Sequence, residues 1–456
     1  MTKKAIDRFS IMYIVFRTHM MITHRIFYRK MQSKFHNRIP KDRPVLMAPN
    51  HQNALMDAIG PIMACRREPI FLTRADVFNN KIIARIFRSF KMLPVYRIRD
   101  GAGELGKNEA IFQESMGALL RKKCPVAIMP EGNHGDKRRL RPLVKGIFRV
   151  AFQAQESYGE NPGVVIVPVG IDYSNYPAFR GHMFVQFGEP IEVNEYWAEY
   201  MENQPRAINT IRERLSNEMK KYIINIESED HYDTYMLMRQ VYNKRMRKRL
   251  GFRKKDMYHR LLADQAMIRE FAGVEEAEPE KMSELSEISK EYADGVKRFG
   301  MRDWVFRKNK HSLLLLILAD LGMLLTLPLF VFGFITNYLV YWVVSRITEK
   351  LIKDNSFKSS VKFIAGSLLF PLYYLILFIA AWIFADPGWV KWAFLGSLPL
   401  TGLFAHTWYI WLKKLRSLWS YQFKSLAGNK DLRKLKDLRK QIIDMAEAFI
   451  NVPSAN

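Results

Sequence analysis

PVLMAPNHQNALMD, residues 44–57, opens on an apolar run and closes on a histidine and an aspartate. The run PVLMA has the length and composition of a short buried strand, and the polar turn after it leads back into apolar sequence. A strand, a tight polar turn and the start of a helix make the first half of a βα unit. His51 stands in that turn, with Asp57 six positions further on. Two readings of the pair stay open here. They are loop polar residues, with Asp57 an acid in the first turn of a helix, or a base and the carboxylate that orients it.

Moving outward, the pattern repeats. PIFLT (69–73), MLPVY (92–96), PVAIM (125–129), VVIVPVGI (164–171) and MFVQFG (183–188) read as further short strands. The segments between them, 104–121 among them, carry apolar residues at helical spacing. Strands alternating with helices predict an α/β domain around a mostly parallel sheet. In such sheets the functional loops lie beyond the carboxyl ends of the strands.

The 456 residues carry a formal net charge of +26, so anionic lipid headgroups, phosphorylated substrates and nucleic acid are the partners to weigh. Two cysteines, Cys65 and Cys124, build no disulfide framework. The first 50 residues hold eleven basic and two acidic side chains, and 8–34 mixes Arg17, Arg25, Arg29, Lys30 and Lys34 with large apolar residues. Such a basic helix either lies in an anionic membrane interface or packs on the domain.

The late chain decides against nucleic acid. Residues 312–345 contain one charge, Asp320, while 363–385 and 392–412 contain none. Each is longer than the roughly 20 apolar residues that cross a bilayer core. As one helix 312–345 would be about 51 Å long, too long for a simple span, and Pro328 interrupts it. Arg302, Arg307, Lys308 and Lys310 flank one end, and Arg346, Lys350, Lys353 and Lys358 the other. If basic flanks stay cytoplasmic, 312–345 is a hairpin or re-entrant pair, with one long tilted span as the alternative. The α/β domain is then expected on the cytoplasmic side of an inner membrane. The acidic patch EEAEPE (275–280) reads as an exposed linker, and 430–450 as an amphipathic helix.

Two further loops follow strand-like runs. MPEGNHGDKRRLRPLVKG (129–146) sets Glu131 and Gly132 at a turn ahead of Lys137, Arg138, Arg139, Arg141, Lys145 and Arg149. Turn backbone with clustered arginine suits a phosphate, and equally a lipid-facing loop. LPVYRIRDG (93–101) delivers Arg97 and Arg99 on one face of a strand end. A divalent-ion site built from His51, Asp57, Glu131, His134 and Asp136 lacks any His-x3-His or Asp-x-Asp element.

In this order, NHQNALMD (50–57), LPVYR (93–97), PEGNHGD (130–136) and VIVPVGIDY (165–173) resemble the glycerolipid acyltransferase superfamily, the glycerol-3-phosphate and lysophosphatidic acid acyltransferases. The resemblance covers about residues 40–190. Two departures stand out. Five residues rather than four separate His51 from Asp57, and Asn-His replaces the family's Thr-Arg after Pro-Glu-Gly. Both are similar to the subgroup containing the fungal glycerol-3-phosphate acyltransferases, which also carries apolar spans after the catalytic domain.

The resemblance implies that His51 deprotonates an acceptor hydroxyl and that Asp57 orients His51, with no metal and no cofactor. It implies that Arg97, Glu131 and Gly132 meet the acceptor. Arg99 is a neighbour, Arg138 or Arg139 is a substitute for the missing arginine, and His134 is either a partner of the site or a plain loop residue. Acyl-CoA or acyl carrier protein is the implied donor. A glycerophosphate-type lipid is the implied acceptor, 1-acyl-glycerol-3-phosphate first and glycerol-3-phosphate second, with membrane lipids as surroundings. A metal-dependent membrane phosphohydrolase is the rival enzyme.

The organisation expected is an interfacial segment (1–39), an α/β domain (40–230), a charged helical region (231–310), a transmembrane region (311–415) and a cytoplasmic amphipathic helix (416–456). The extra residue in NHQNALMD must be absorbed by the turn, so that Asp57 still reaches His51.

Overall fold

All six apolar runs form strands, because each is a short uninterrupted stretch of residues that can bury both faces of a sheet. The computed structural model describes residues 6–7, 10–65, 67–96, 107–121, 124–159, 162–254, 256–308, 311–384, 386 and 388–451. Its strands are β1 (Tyr28–Lys34), β2 (Val45–Pro49), β3 (Ile70–Arg74), β4 (Met92–Val95), β5 (Val126–Ala127), β6 (Val165–Tyr173), β7 (Gly181–Phe187) and β8 (Ile191–Glu192). They lie in the order β1-β7-β6-β2-β5-β3-β4, with β8 also beside β6. Pairings of β2 with β5 and β6, and of β3 with β4 and β5, are parallel; β6 meets β7 and β8 antiparallel.

Alternation along each strand divides the core between the two faces of the sheet. Leu46 and Ala48 of β2 join Ile70, Val126, Phe148 and Ile166 on one face. Val45 and Met47 join Met56, Ile59, Val167 and Val185 on the other. Pro168 sits in β6 between the residues that pair with β8 and those that pair with β7, and its carbonyl accepts the Gly188 amide at 2.7 Å.

The chain forms two compact units. One comprises Met1–Asn225 together with Arg346–Ser367, the other Ile226–Ser345 together with Leu368–Asn456. In the first, 8–34 is not helical throughout. Helix Ile11–Phe27 gives way to β1, which pairs with β7 and extends the sheet. Tyr28, fully buried, anchors this strand, while its polar residues suit a sheet edge.

The second unit is helical in its described residues. EEAEPE is not a linker there: Glu275 lies in the last turn of a helix (Met257–Ala277) and accepts hydrogen bonds from Ser228 and the Tyr235 hydroxyl. Pro279 starts the next helix, Pro279–Arg298, at the position where its missing N–H costs nothing. Helix Lys430–Asn451 forms as expected, burying Leu432, Leu435, Leu438, Ile442, Ile443, Ala446 and Phe449.

The stretch 312–345 breaks at Thr326, not Pro328. Helix Leu313–Leu325 ends there and Leu327–Leu351 begins, with Pro328 in its first turn. Among the described residues two helices, Leu327–Leu351 and Asn355–Phe384, are long and apolar enough to cross a membrane. The stretch 392–412 lies inside the longer helix Gly388–Leu426, which is not one of those two.

Candidate active site

The loop after β2 is tied down residue by residue. The Asn50 side chain imitates a strand residue: Nδ2 donates to the Ile171 carbonyl (3.1 Å), and the Ile171 amide donates to Oδ1 (2.7 Å). This prolongs the β2–β6 pairing by one side chain and sets the direction in which His51 leaves the sheet. The backbone then turns sharply at Ala54, whose φ of 44° and ψ of −123° are costly for a side chain that has a Cβ. Helix Leu55–Ala64 starts at the next residue. The turn thus accommodates five residues between His51 and Asp57.

Asp57 is fully buried and reaches His51, its Oδ2 standing 3.1 Å from Nδ1. The same oxygen accepts the amides of Gln52 (2.8 Å) and Asn53 (2.6 Å), and Oδ1 accepts the Tyr173 hydroxyl (2.7 Å). Four donors therefore surround this buried carboxylate. Burial, and then the nearby Asp57 charge, push the Tyr173 hydroxyl well above its usual pKa, so it remains the donor. With Asp57 taking the Nδ1 proton, the Nε2 lone pair of a neutral His51 is the one left to accept a proton.

Glu131, four residues past β5, fixes His51 from the other side. Its Oε1 accepts the His51 amide at 2.6 Å and its Oε2 accepts the Arg141 amide at 3.0 Å. The carboxyl is buried, and burial pushes its pKa up to about 7 despite those two donors. It stands on the backbone of the site and ties the β2 loop to the β5 loop. Gly132 allows the turn: its φ is +66°, and a Cβ there would come within 3.1 Å of the Val144 methyls.

Arg138 is buried rather than open to a phosphate. Its guanidinium is engaged by Asp172 and the Tyr173 carbonyl and lies over the Tyr176 ring, with 5.0 Å from Cζ to the ring centroid. Tyr176 in turn donates to Gln52 Oε1 at 2.6 Å. Removing one partner of such a buried pair costs about 3–5 kcal/mol. Arg138→Met is therefore expected to lower thermal stability markedly, while the KM for acceptor in the surviving folded protein stays within about twofold. A selective rise in KM at unchanged stability contradicts this placement.

Arg139 is half-buried, and its carbonyl receives Gln52 Nε2 at 3.4 Å. Arg97 and Arg99 lie outside the described residues. His134 comes close to His51, the ring centroids 5.6 Å apart. Burial first, and then the nearby His51, hold its pKa below the ordinary value, and Arg74 at the end of β3 acts in the same direction. Among the described residues no group of three or more His, Cys, Asp and Glu is arranged to hold a metal ion. The site is thus a His–Asp pair with a buried carboxylate behind it, at the carboxyl ends of β2, β5 and β6.

The sequence reading did not single out Tyr173, Asn50 or Gln52, which complete the hydrogen bonding of this loop. Tyr173 is visible as the last residue of VIVPVGIDY, but only the sheet order brings the end of β6 alongside the end of β2.

Residues 30–172 match the acyltransferase family. They are an acyltransferase domain of the glycerolipid superfamily. Two relatives from Saccharomyces cerevisiae are called glycerol-3-phosphate O-acyltransferases 2 and 1. The first is 29% identical over 164 residues, 34% of this chain and 21% of the relative. The second is 23% identical over 262 residues, 55% of this chain and 33% of the relative. A glycerol-3-phosphate acyltransferase of Alteromonas mediterranea is 30% identical over 123 residues, 21% of this chain and 15% of its own. The chain thus spans a third or less of the length of these curated relatives. A solved 1-acyl-sn-glycerophosphate (LPA) acyltransferase from Thermotoga maritima is 16% identical, with a TM-score of 0.30 over 44% of this chain and 79% of that one.

Proposed function

We propose that the protein transfers a fatty acyl chain from a thioester, acyl-CoA or acyl carrier protein, to the free hydroxyl of 1-acyl-glycerol-3-phosphate, producing phosphatidic acid. The observation that carries this reading is the buried Asp57 on His51 Nδ1, which leaves Nε2 to accept a proton, in a domain of this superfamily.

His51 Nε2 takes the acceptor's hydroxyl proton as its oxygen attacks the thioester carbonyl carbon. Asp57 holds the tautomer and stabilises the imidazolium that forms. When the tetrahedral intermediate collapses, the C–S bond breaks and the imidazolium returns its proton to the departing sulfur. No acyl-enzyme is required. The acceptor choice rests on placement. Residues Asn355–Ser367, the first turns of an apolar helix long enough to cross a membrane, belong to the same unit as the site. A lipid acceptor held in a membrane would therefore be presented at high local concentration. Glycerol-3-phosphate is the second reading, favoured by the names of the curated relatives.

The test is the purified full chain in detergent with radiolabelled acyl-CoA or acyl carrier protein, offered 1-acyl-glycerol-3-phosphate, glycerol-3-phosphate and other lysolipids in parallel. Labelled phosphatidic acid from the first acceptor is the expected result. Preferential product from glycerol-3-phosphate establishes the second reading. Absence of thioester consumption with every acceptor overturns both.

A further inference from the structure

Residues 346–367 are remote in sequence from the site, yet they belong to its unit. Along helix Asn355–Phe384 the buried positions in the first turns are Ser356, Ser359, Ser360, Phe363 and Ser367, a single stripe at helical spacing. Serines let a helix approach its support closely, and Phe363 between them enters the core that holds Met56, Ile59 and Tyr173. Phe363 also meets the edge of Phe27 with centroids 5.6 Å apart. The helix is seated here as a built part of the domain.

Three contacts run from this seat to the candidate site. Asp354 Oδ2 lies 3.1 Å from His134 Nε2. Phe357 stands edge-on to the His134 ring, with centroids 4.4 Å apart. Ser359 donates to Asn53 Oδ1, and Asn53 is fully buried between His51 and Asp57. Among the described residues, the other neighbours of His134 come from its own loop and from two strand ends. Asn133 Oδ1 is 3.1 Å from Nδ1, Arg141 donates to the His134 carbonyl at 2.7 Å, and His51 and Arg74 supply the nearby charge. His134 is thus clamped between His51 on one side and the Asp354–Phe357 turn on the other.

We propose that Asp354 and Phe357 are positioning residues for acyl transfer: they hold the His134 ring alongside His51, so that the first turn of the apolar helix sets the geometry of the catalytic loop. This rests on the acyl-transfer reading above. A side chain that acts through another leaves substrate affinity alone and changes turnover. Its effect also disappears when the intermediary is gone.

The experiment compares Asp354→Asn, His134→Gln, the double variant and Phe357→Leu in the full chain, measuring kcat and KM for acceptor together with thermal stability. Lys358→Ala, on the same turn and, among the described residues, bonded to Asn355, serves as the control. Asp354→Asn and His134→Gln are each expected to lower kcat roughly tenfold at unchanged KM, with the double variant no slower than His134→Gln alone. Phe357→Leu keeps apolar volume and is expected to lower kcat in the same way, which preserves the test if Asp354→Asn does not fold. Lys358→Ala is expected to turn over like the unaltered protein.

Wild-type turnover in Asp354→Asn, or multiplying effects in the double variant, overturns the inference. His51→Ala separates the two levels: if it is inactive while Asp354→Asn is not, only the positioning role falls. If His51→Ala turns over, the acyl-transfer reading falls as well.

Discussion

Changing His51 to alanine is expected to lower thioester-dependent acyl transfer by at least about 10³-fold, while the protein still purifies with membranes. The size follows from what the site contains. Asp57 is enclosed by four donors and has no geometry from which to take a substrate proton, so no second base replaces His51. His134 Nε2 is already turned to Asp354. Asp57→Asn is expected to fall less far. Its amide keeps the shape but offers N–H toward His51 or toward the Gln52 and Asn53 amides, which selects the wrong tautomer or loosens the loop. Thioester cleavage followed by thiol release measures both. Full turnover in His51→Ala removes the proposed mechanism.

The second large effect is on stability and centres on Glu131. Alanine there is expected to destabilise the domain by about 2–4 kcal/mol, because the amides of His51 and Arg141 both lose the buried carboxyl that accepts them. Turnover falls with it, since the His51 backbone is released. Glutamine gives a pH signature with a definite sign. Burial raises the folded-state pKa of Glu131 from the usual 4.5 to about 7. The folded protein therefore binds that proton more tightly than the unfolded chain does. The contribution, on the order of 3 kcal/mol, is fully present below pH 4.5 and is lost as pH rises to 7. Relative to Glu131→Gln, the unaltered protein should gain thermal stability as pH falls from 7 towards 5. A pH-independent difference between the two shows that Glu131 is ionised throughout.

Much of the sheet was legible because its strands are short apolar runs set off by turn residues, a local property. β1 was not, since YRKMQSK is mostly polar and becomes a strand only where β7 offers an edge. EEAEPE looked like a solvated linker because charge density is read without partners. In the fold, Glu275 has Ser228 and Tyr235 as donors and Pro279 begins a helix. Pro328 appeared to be the break in 312–345, but proline is tolerated in a first helical turn, so the chain breaks at Thr326 instead.

The site divides along the same line. His51, Asp57 and Glu131 stand out in sequence because their residue types carry chemistry and each follows a strand. Arg138 stood out by charge, and only burial against Asp172 and Tyr176 shows it to be a clamp. Nothing local announces Tyr173 as a donor to Asp57, 116 positions away, or Asp354 as a partner of His134, 220 positions away.

By itself the sequence determined the class of this protein. Strand-length apolar runs dictate an α/β sheet, long uncharged segments dictate helices fit for a membrane, and the polar loops after the strands bring forward His51, Asp57 and Glu131 as candidates. Tertiary structure alone decided which groups are buried together, and therefore which hold one another in place. Desolvation and hydrogen-bond satisfaction depend on every element that surrounds a side chain, and pairing at 3 Å between distant residues leaves no periodic trace in the chain.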